Sequence, residues 1–96
     1  MSLTESQCKH LRGLGHGLKP LVFVGAGGLS DSVVAEVDST LAHHELIKIR
    51  VRSGNRQERD AVIGEIVART AAELIQRVGN MALIYRPAEE PKIDLP

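Results

Sequence analysis

The chain predicts an α/β fold of the two-layer α+β kind, three helices with a four-stranded mixed sheet in the order α-β-α-β-α-β-β. Three observations lead there. Apolar stripes at helical spacing alternate with short apolar runs. A glycine turn, Gly25-Ala26-Gly27-Gly28, joins the first of those runs to the second stripe, and Gly79-Asn80 parts the last two runs as a hairpin loop does. Helices alternating with strands favour crossovers that leave the first three strands parallel, with the hairpin adding an antiparallel fourth. At 96 residues, 43% of them apolar, a single domain spans 1–96, its last stretch, 87–96, an irregular tail containing Pro87, Pro91 and Pro96.

Each element has its local reason. Thr4 followed by Gln7 has capping-box spacing, so the first helix starts near Ser2 or Thr4 and ends at the cluster Gly13, Gly15 and Gly17. Leu11 and Leu14 lie on one side of it, Lys9, Arg12 and His16 on another. The apolar run 21–24, bounded by Pro20 and Gly25, suits a strand covered on both faces, with Phe23 in the core. Ser30 caps the second helix, with Leu29 and Val34 at staple spacing, and Val33, Val34, Val37 and Leu41 form its stripe to about His43. Residues 46–52 alternate, Ile47, Ile49 and Val51 facing one way and Lys48, Arg50 and Arg52 the other, so the outward face of that strand is basic. Ser53-Gly54-Asn55 reads as a turn, and Val62, Ile63, Ile66, Val67 and Thr70 mark a third helix from about Arg56 to Ala71 or Ala72, with no glycine at its end. The runs 74–78 and 81–85 form the hairpin.

Net charge is zero, which argues against gripping a nucleic acid by bulk positive charge, yet the charge is sorted along the chain. Residues 31–45 carry Asp31, Glu36, Asp38 and Glu45 and no Lys or Arg, whereas 46–60 set Lys48, Arg50, Arg52, Arg56 and Arg59 against Glu58 and Asp60. No run approaches the ~20 apolar residues of a membrane span, and the N-terminus lacks the regions of a signal peptide, so a cytoplasmic protein is expected. Cys8 stands alone and supports neither a disulfide nor a cysteine zinc site. His10 and His16 are isolated and the neighbours His43 and His44 point apart, so no metal site is expected. No Ser-His-Asp order, nucleophile motif or acid–base pair stands out, so neither catalysis nor a cofactor is expected. The glycine turn is the first functional clue: it offers backbone N–H groups and the positive end of a helix dipole with little bulk to obstruct a phosphate.

Several short motifs, in order along nearly the whole chain, carry a resemblance. They are Leu11-Arg12-Gly13-Leu14, His16, Leu18-Lys19-Pro20, Gly25-Ala26-Gly27-Gly28-Leu29, His44-Glu45-Leu46-Ile47-Lys48, Tyr85-Arg86-Pro87 and Lys92-Ile93-Asp94-Leu95-Pro96. The chain resembles the YhbY-type proteins of the CRM family, the chloroplast RNA splicing and ribosome maturation domain. The resemblance implies a fold similar to the C-terminal domain of translation initiation factor three. It also implies a single-domain, non-enzymatic protein that binds RNA and associates with immature large ribosomal subunits. In that family the Gly-x-x-Gly loop is the element proposed to touch RNA, and it maps onto Gly25 to Gly28. Gly27 replaces the commoner polar residue, which leaves backbone contact as the loop's main option.

Rival readings of the turn fare worse. A Rossmann fingerprint fails because its third glycine position is Ser30 and Glu45 precedes the second strand instead of ending it. In KH domains a Gly-x-x-Gly loop joins two helices, whereas this one follows a strand, so that likeness is local. The expected RNA surface comprises Lys9, Arg12 and Lys19 with Gly25, Ala26, Gly27 and Gly28. Lys48, Arg50 and Arg52 join it where the helices leave their face open. One phenylalanine, one tyrosine and no tryptophan supply no platform for stacking successive bases, so the expected partner is structured RNA, large-subunit ribosomal RNA or a precursor particle, read by backbone and shape by a monomer. The alternative is a protein-interaction module that docks on an assembly factor through its acidic second helix.

Overall fold

The computed structural model describes residues 2–52 and 54–96. Its elements follow the expected order: α1 (Glu5–Gly15), β1 (Pro20–Val24), α2 (Asp31–His44), β2 (Leu46–Val51), α3 (Arg56–Thr70), β3 (Glu73–Val78) and β4 (Met81–Tyr85). Local chemistry places the helix starts. Thr4 and Gln7 close a reciprocal capping box on α1, Asn55 and Glu58 close another on α3, and Ser30 Oγ accepts the Val33 N–H at 3.3 Å. Of the expected turn Ser53-Gly54-Asn55, Ser53 lies outside the described residues; Gly54 has φ 63° and Asn55 is the cap. The end of α3, which no glycine marks, is made by Ala71 in the left-handed region at φ 56°.

The strands form one sheet in the order β1-β2-β4-β3. β1 pairs parallel with β2, and β4 runs antiparallel to both β2 and β3, so the first three strands share a direction and the last strand lies between two of them. Gly79 takes φ 60° in the hairpin loop.

Two apolar clusters flank the sheet. On one face α2 and α3 cover Val22, Val24, Ile47, Ile49, Val51, Ala82 and Ile84 with Val37, Leu41, Ile63 and Ile66. On the other, Leu11 of α1 packs with Leu46, Ile75, Leu83 and Tyr85, and Leu3, Ile93 and Leu95 of the chain's two ends close over them. α2 and α3 thus make the full helical layer, while α1, packed against β2 and β3, covers only part of the opposite face. That partial cover corrects one expectation. β1 is buried on one side only: Leu21 is 48% exposed and Phe23 59%, because no helix reaches over this edge strand on the α1 side.

Candidate nucleic-acid interface

The glycine turn leaves β1 as a hydrogen-bonded loop in which the Gly28 N–H donates to the Gly25 carbonyl at 3.1 Å, Gly28 having φ 82°. A side chain built at Gly25 or Gly27 would meet nothing within 4 Å, so packing demands glycine at neither and the loop's outer surface is open to a close-approaching ligand. The Gly28 amide is spent inside the turn, and Ser30 Oγ and its carbonyl take those of Val33 and Val34. Among the described residues no acceptor takes the N–H of Ala26 or Gly27, and Asp31 and Ser32 open the helix, where amides have no intrahelical partner. The Ala26 and Gly27 amides are thus donors of the loop, and those of Asp31 and Ser32 donors of the helix start behind it. Asp31 stands beside them as a carboxylate at the helix start, and Arg69 holds it at 2.8 Å. That bond, the strongest influence on Arg69, raises the guanidinium's pKa above its ordinary value.

Arg52 comes to the root of this loop. The ends of β1 and β2 lie side by side, Val24 opposite Val51, and the Arg52 N–H donates to the Val24 carbonyl at 2.8 Å. Behind it, Arg50 and Lys48 follow along β2 on the face that α1 only partly covers. Both are half-buried; Arg50 pairs across the strands with Phe23, and Lys48 Nζ lies 3.5 Å from the His16 carbonyl at the end of α1. Arg50 Nε is buried without a hydrogen-bond partner. Among the described residues none of Lys9, Lys19, Lys48, Arg50 and Arg52 lies in a salt bridge, so no carboxylate of the fold neutralises their charge.

The remaining expected residues are dispersed. Lys19 precedes β1 and the loop follows it, so five residues of strand hold them apart by roughly 20 Å at about 3.3 Å per residue. Lys19 is therefore not an immediate neighbour of the glycine turn. On α1, Lys9 is exposed, whereas Arg12 turns back to Glu5 at 3.0 Å. The structure brings together the loop, Arg52 and Arg50, and sets Lys48, which pairs with Pro20, near Lys19 at the other end of β1. The acidic stretch is largely consumed within the fold: Asp31 pairs with Arg69, Asp38 with Arg86 at 2.6 Å, and Glu45 is fully buried. The imidazoles of His43 and His44, expected to point apart, meet edge to face at 4.8 Å.

Glu45 is what sequence reasoning missed. It ends α2 with φ 66°, and its carboxylate accepts backbone N–H groups from Ala88 at 3.0 Å, Lys92 at 2.6 Å and Ile93 at 3.1 Å. Burial is the largest single influence on this group and by itself opposes ionisation, but the three N–H bonds and the Lys92 charge together hold its pKa below the ordinary carboxylate value. Burial, with the Glu45 charge behind it, holds the Tyr85 phenol above its usual value. The only sequence signal was that the segments containing Glu45 and Lys92-Ile93 both belong to the family resemblance.

Comparison with known proteins places this architecture. The model of the CRS1/YhbY (CRM) domain matches residues 3–86. An RNA-binding protein of Haemophilus influenzae is 42% identical over 95 residues, covering 99% of this chain and 96% of the relative. A protein of Pseudomonas aeruginosa named a probable RNA-binding protein is 39% identical, covering 99% and 91%. A Staphylococcus aureus protein solved in solution superposes with a TM-score of 0.84 at 34% identity, covering 99% of this chain and all of that one. The chain belongs to the CRS1/YhbY (CRM) domain family.

Proposed function

We propose that this protein is a cytoplasmic, non-enzymatic RNA-binding protein that acts as a monomer on ribosomal RNA of the immature large ribosomal subunit. The observation that carries the reading is the union of an open glycine turn, with the Ala26 and Gly27 amides unspent, and the cations Arg52 and Arg50 beside it, Lys48 following farther back along β2. The relatives named as RNA-binding proteins support it. An RNA phosphate at the turn receives the amides of Ala26 and Gly27, while Arg52 and the β2 cations hold neighbouring phosphates and Lys9, Arg12 and Lys19 extend the track past α1. These contacts position the RNA without reading its sequence. Docking through an acidic second helix fits less well, because two of that helix's three carboxylates are already held by arginines.

Six cations, each neutralising one phosphate, give log affinity a slope of roughly −4 to −5 against log salt, which filter binding to a structured RNA measures. Reversing Lys48 or Arg50 to Glu lowers affinity and takes about one unit from that slope, and a flat response sinks the mechanism. Sedimentation of lysate tests the particle: the wild-type protein travels with large-subunit precursors, and Gly28→Asp, checked for folding by its thermal melt because φ 82° strains a side chain, stays at the top. Co-sedimentation of both retains the particle but removes the loop's role.

A further inference from the structure

Phe23 is left exposed because no helix covers β1 on the α1 side. It is the chain's single phenylalanine, and it stands 59% accessible two residues before the glycine turn. The register sets Phe23, Arg50, Met81 and Val78 in one row across all four strands, on the face α1 leaves open. In the next row Lys48 pairs with Leu83, and a groove of about 450 Å³ runs between the rows, lined by His16, Lys48, Gln76, Val78, Met81 and Leu83. Apolar side chains, Leu21 and Phe23 on β1 and Met81 and Val78 on β4 and β3, thus lie on either side of the cationic strand β2, where Lys48 and Arg50 lie in no salt bridge among the described residues.

We propose that this open part of the sheet, Phe23 on the edge strand with Arg50 opposite it and Lys48 farther along β2, binds one unstacked base of the RNA whose backbone the glycine turn holds. The inference rests on the RNA reading above and adds to it a base site that backbone contact does not supply. A nucleotide matches both properties of the surface, a flat apolar ring for Phe23 and an anionic backbone for the cations. Neighbouring strands are about 4.8 Å apart, so Arg50 sits within reach of a nucleotide stacked on Phe23. With one aromatic there is room for one base, which makes the preferred RNA a helix interrupted by a bulged or flipped-out nucleotide. A second copy of this chain is a poorer occupant, because a two-fold contact through this face would oppose its own cations.

The test uses two RNA hairpins of equal stem length, one with a single-nucleotide bulge and one fully paired. Wild-type protein binds the bulged hairpin more tightly, and the Phe23 ring resonances, unambiguous in a chain with one phenylalanine, shift upfield only with that RNA. Phe23→Leu keeps the thermal melt, since the ring is exposed, and loses roughly 5- to 100-fold in affinity for the bulged hairpin, so that the preference collapses to about one. If Phe23→Leu binds both hairpins as wild type does while Gly28→Asp weakens both, the base site is overturned and the loop reading stands. If wild type binds neither, both fall. If Phe23→Leu instead abolishes a concentration-dependent dimer in equilibrium sedimentation, or the retention of a protein that survives nuclease, the face is a protein contact and the base site is overturned.

Discussion

Glu45 concentrates more of the structure's physics than any other side chain. A non-glycine residue at φ 66° is strained, and here the bend lets β2 begin one residue after α2 ends, while the buried carboxylate gathers three amides of the tail. Glu45→Gln removes the charge but keeps the shape, and costs about 1–3 kcal/mol, on the order of 5–20 °C in melting temperature for a domain this size. The pH dependence follows from the lowered pKa. On acidification the unfolded chain takes up the proton at its ordinary value near pH ~4.3, before the folded chain does. The clamp's contribution is therefore complete above that value and fades as pH falls through the lower folded one. Protection factors of the Lys92 and Ile93 amides, measured from pH 6 to 3 against the intrinsic exchange rate at each pH, fall on acidification in wild type and stay flat in Glu45→Gln. Gly15 is the second residue with a single physical demand. A Cβ there would stand 2.5 Å from Leu83 Cδ2, so Gly15→Ala pushes α1 off the sheet and costs about 1–3 kcal/mol by denaturant unfolding.

Among the elements, the helix starts were legible because capping is local: Thr4 with Gln7, Asn55 with Glu58 and Ser30 each act within three residues. The end of α3 was harder, since Ala71 adopts a conformation that usually advertises itself as glycine. Ala71→Gly relieves that strain, partly offset by the looser unfolded chain, and raises stability by about 0.5–1 kcal/mol in a chemical-denaturation midpoint without a change in slope. β1 shows where an element-level reading fails. Four consecutive apolar residues look the same whether a strand is covered on two faces or lies at an edge with one face open, and only the position of α1 decided the matter. The basic alternation of β2 was plain in the sequence, but its nearness to the glycine turn required the parallel pairing of β1 with β2.

For the molecule as a whole, charge is partitioned between the two sides of the sheet. On the α2 and α3 side, Asp31, Asp38, Asp60 and Glu65 are each held by an arginine, and Arg86 ties the Asp38 carboxylate to the Thr70 carbonyl at the end of α3. On the α1 side, Lys48 and Arg50 have no such partner among the described residues. A protein of net charge zero therefore presents a cationic face. Its RNA affinity falls steeply with salt while its melting temperature stays nearly level, because the exposed ion pairs contribute little to stability. Parallel thermal melts and binding isotherms across the same salt series check this.

The sequence by itself determined the elements, their order, the helix caps, the hairpin and the glycine turn, since each depends on residues within about four positions of one another. Tertiary structure alone decided that β4 lies between β2 and β3, that Lys48 stands opposite Pro20 at the end of β1 away from the turn, that Phe23 faces outward, and that Glu45 holds a tail more than forty residues away. The physical reason is common to all four. They depend on which apolar faces bury one another, a competition among distant side chains for the same sheet surface that no local spacing records.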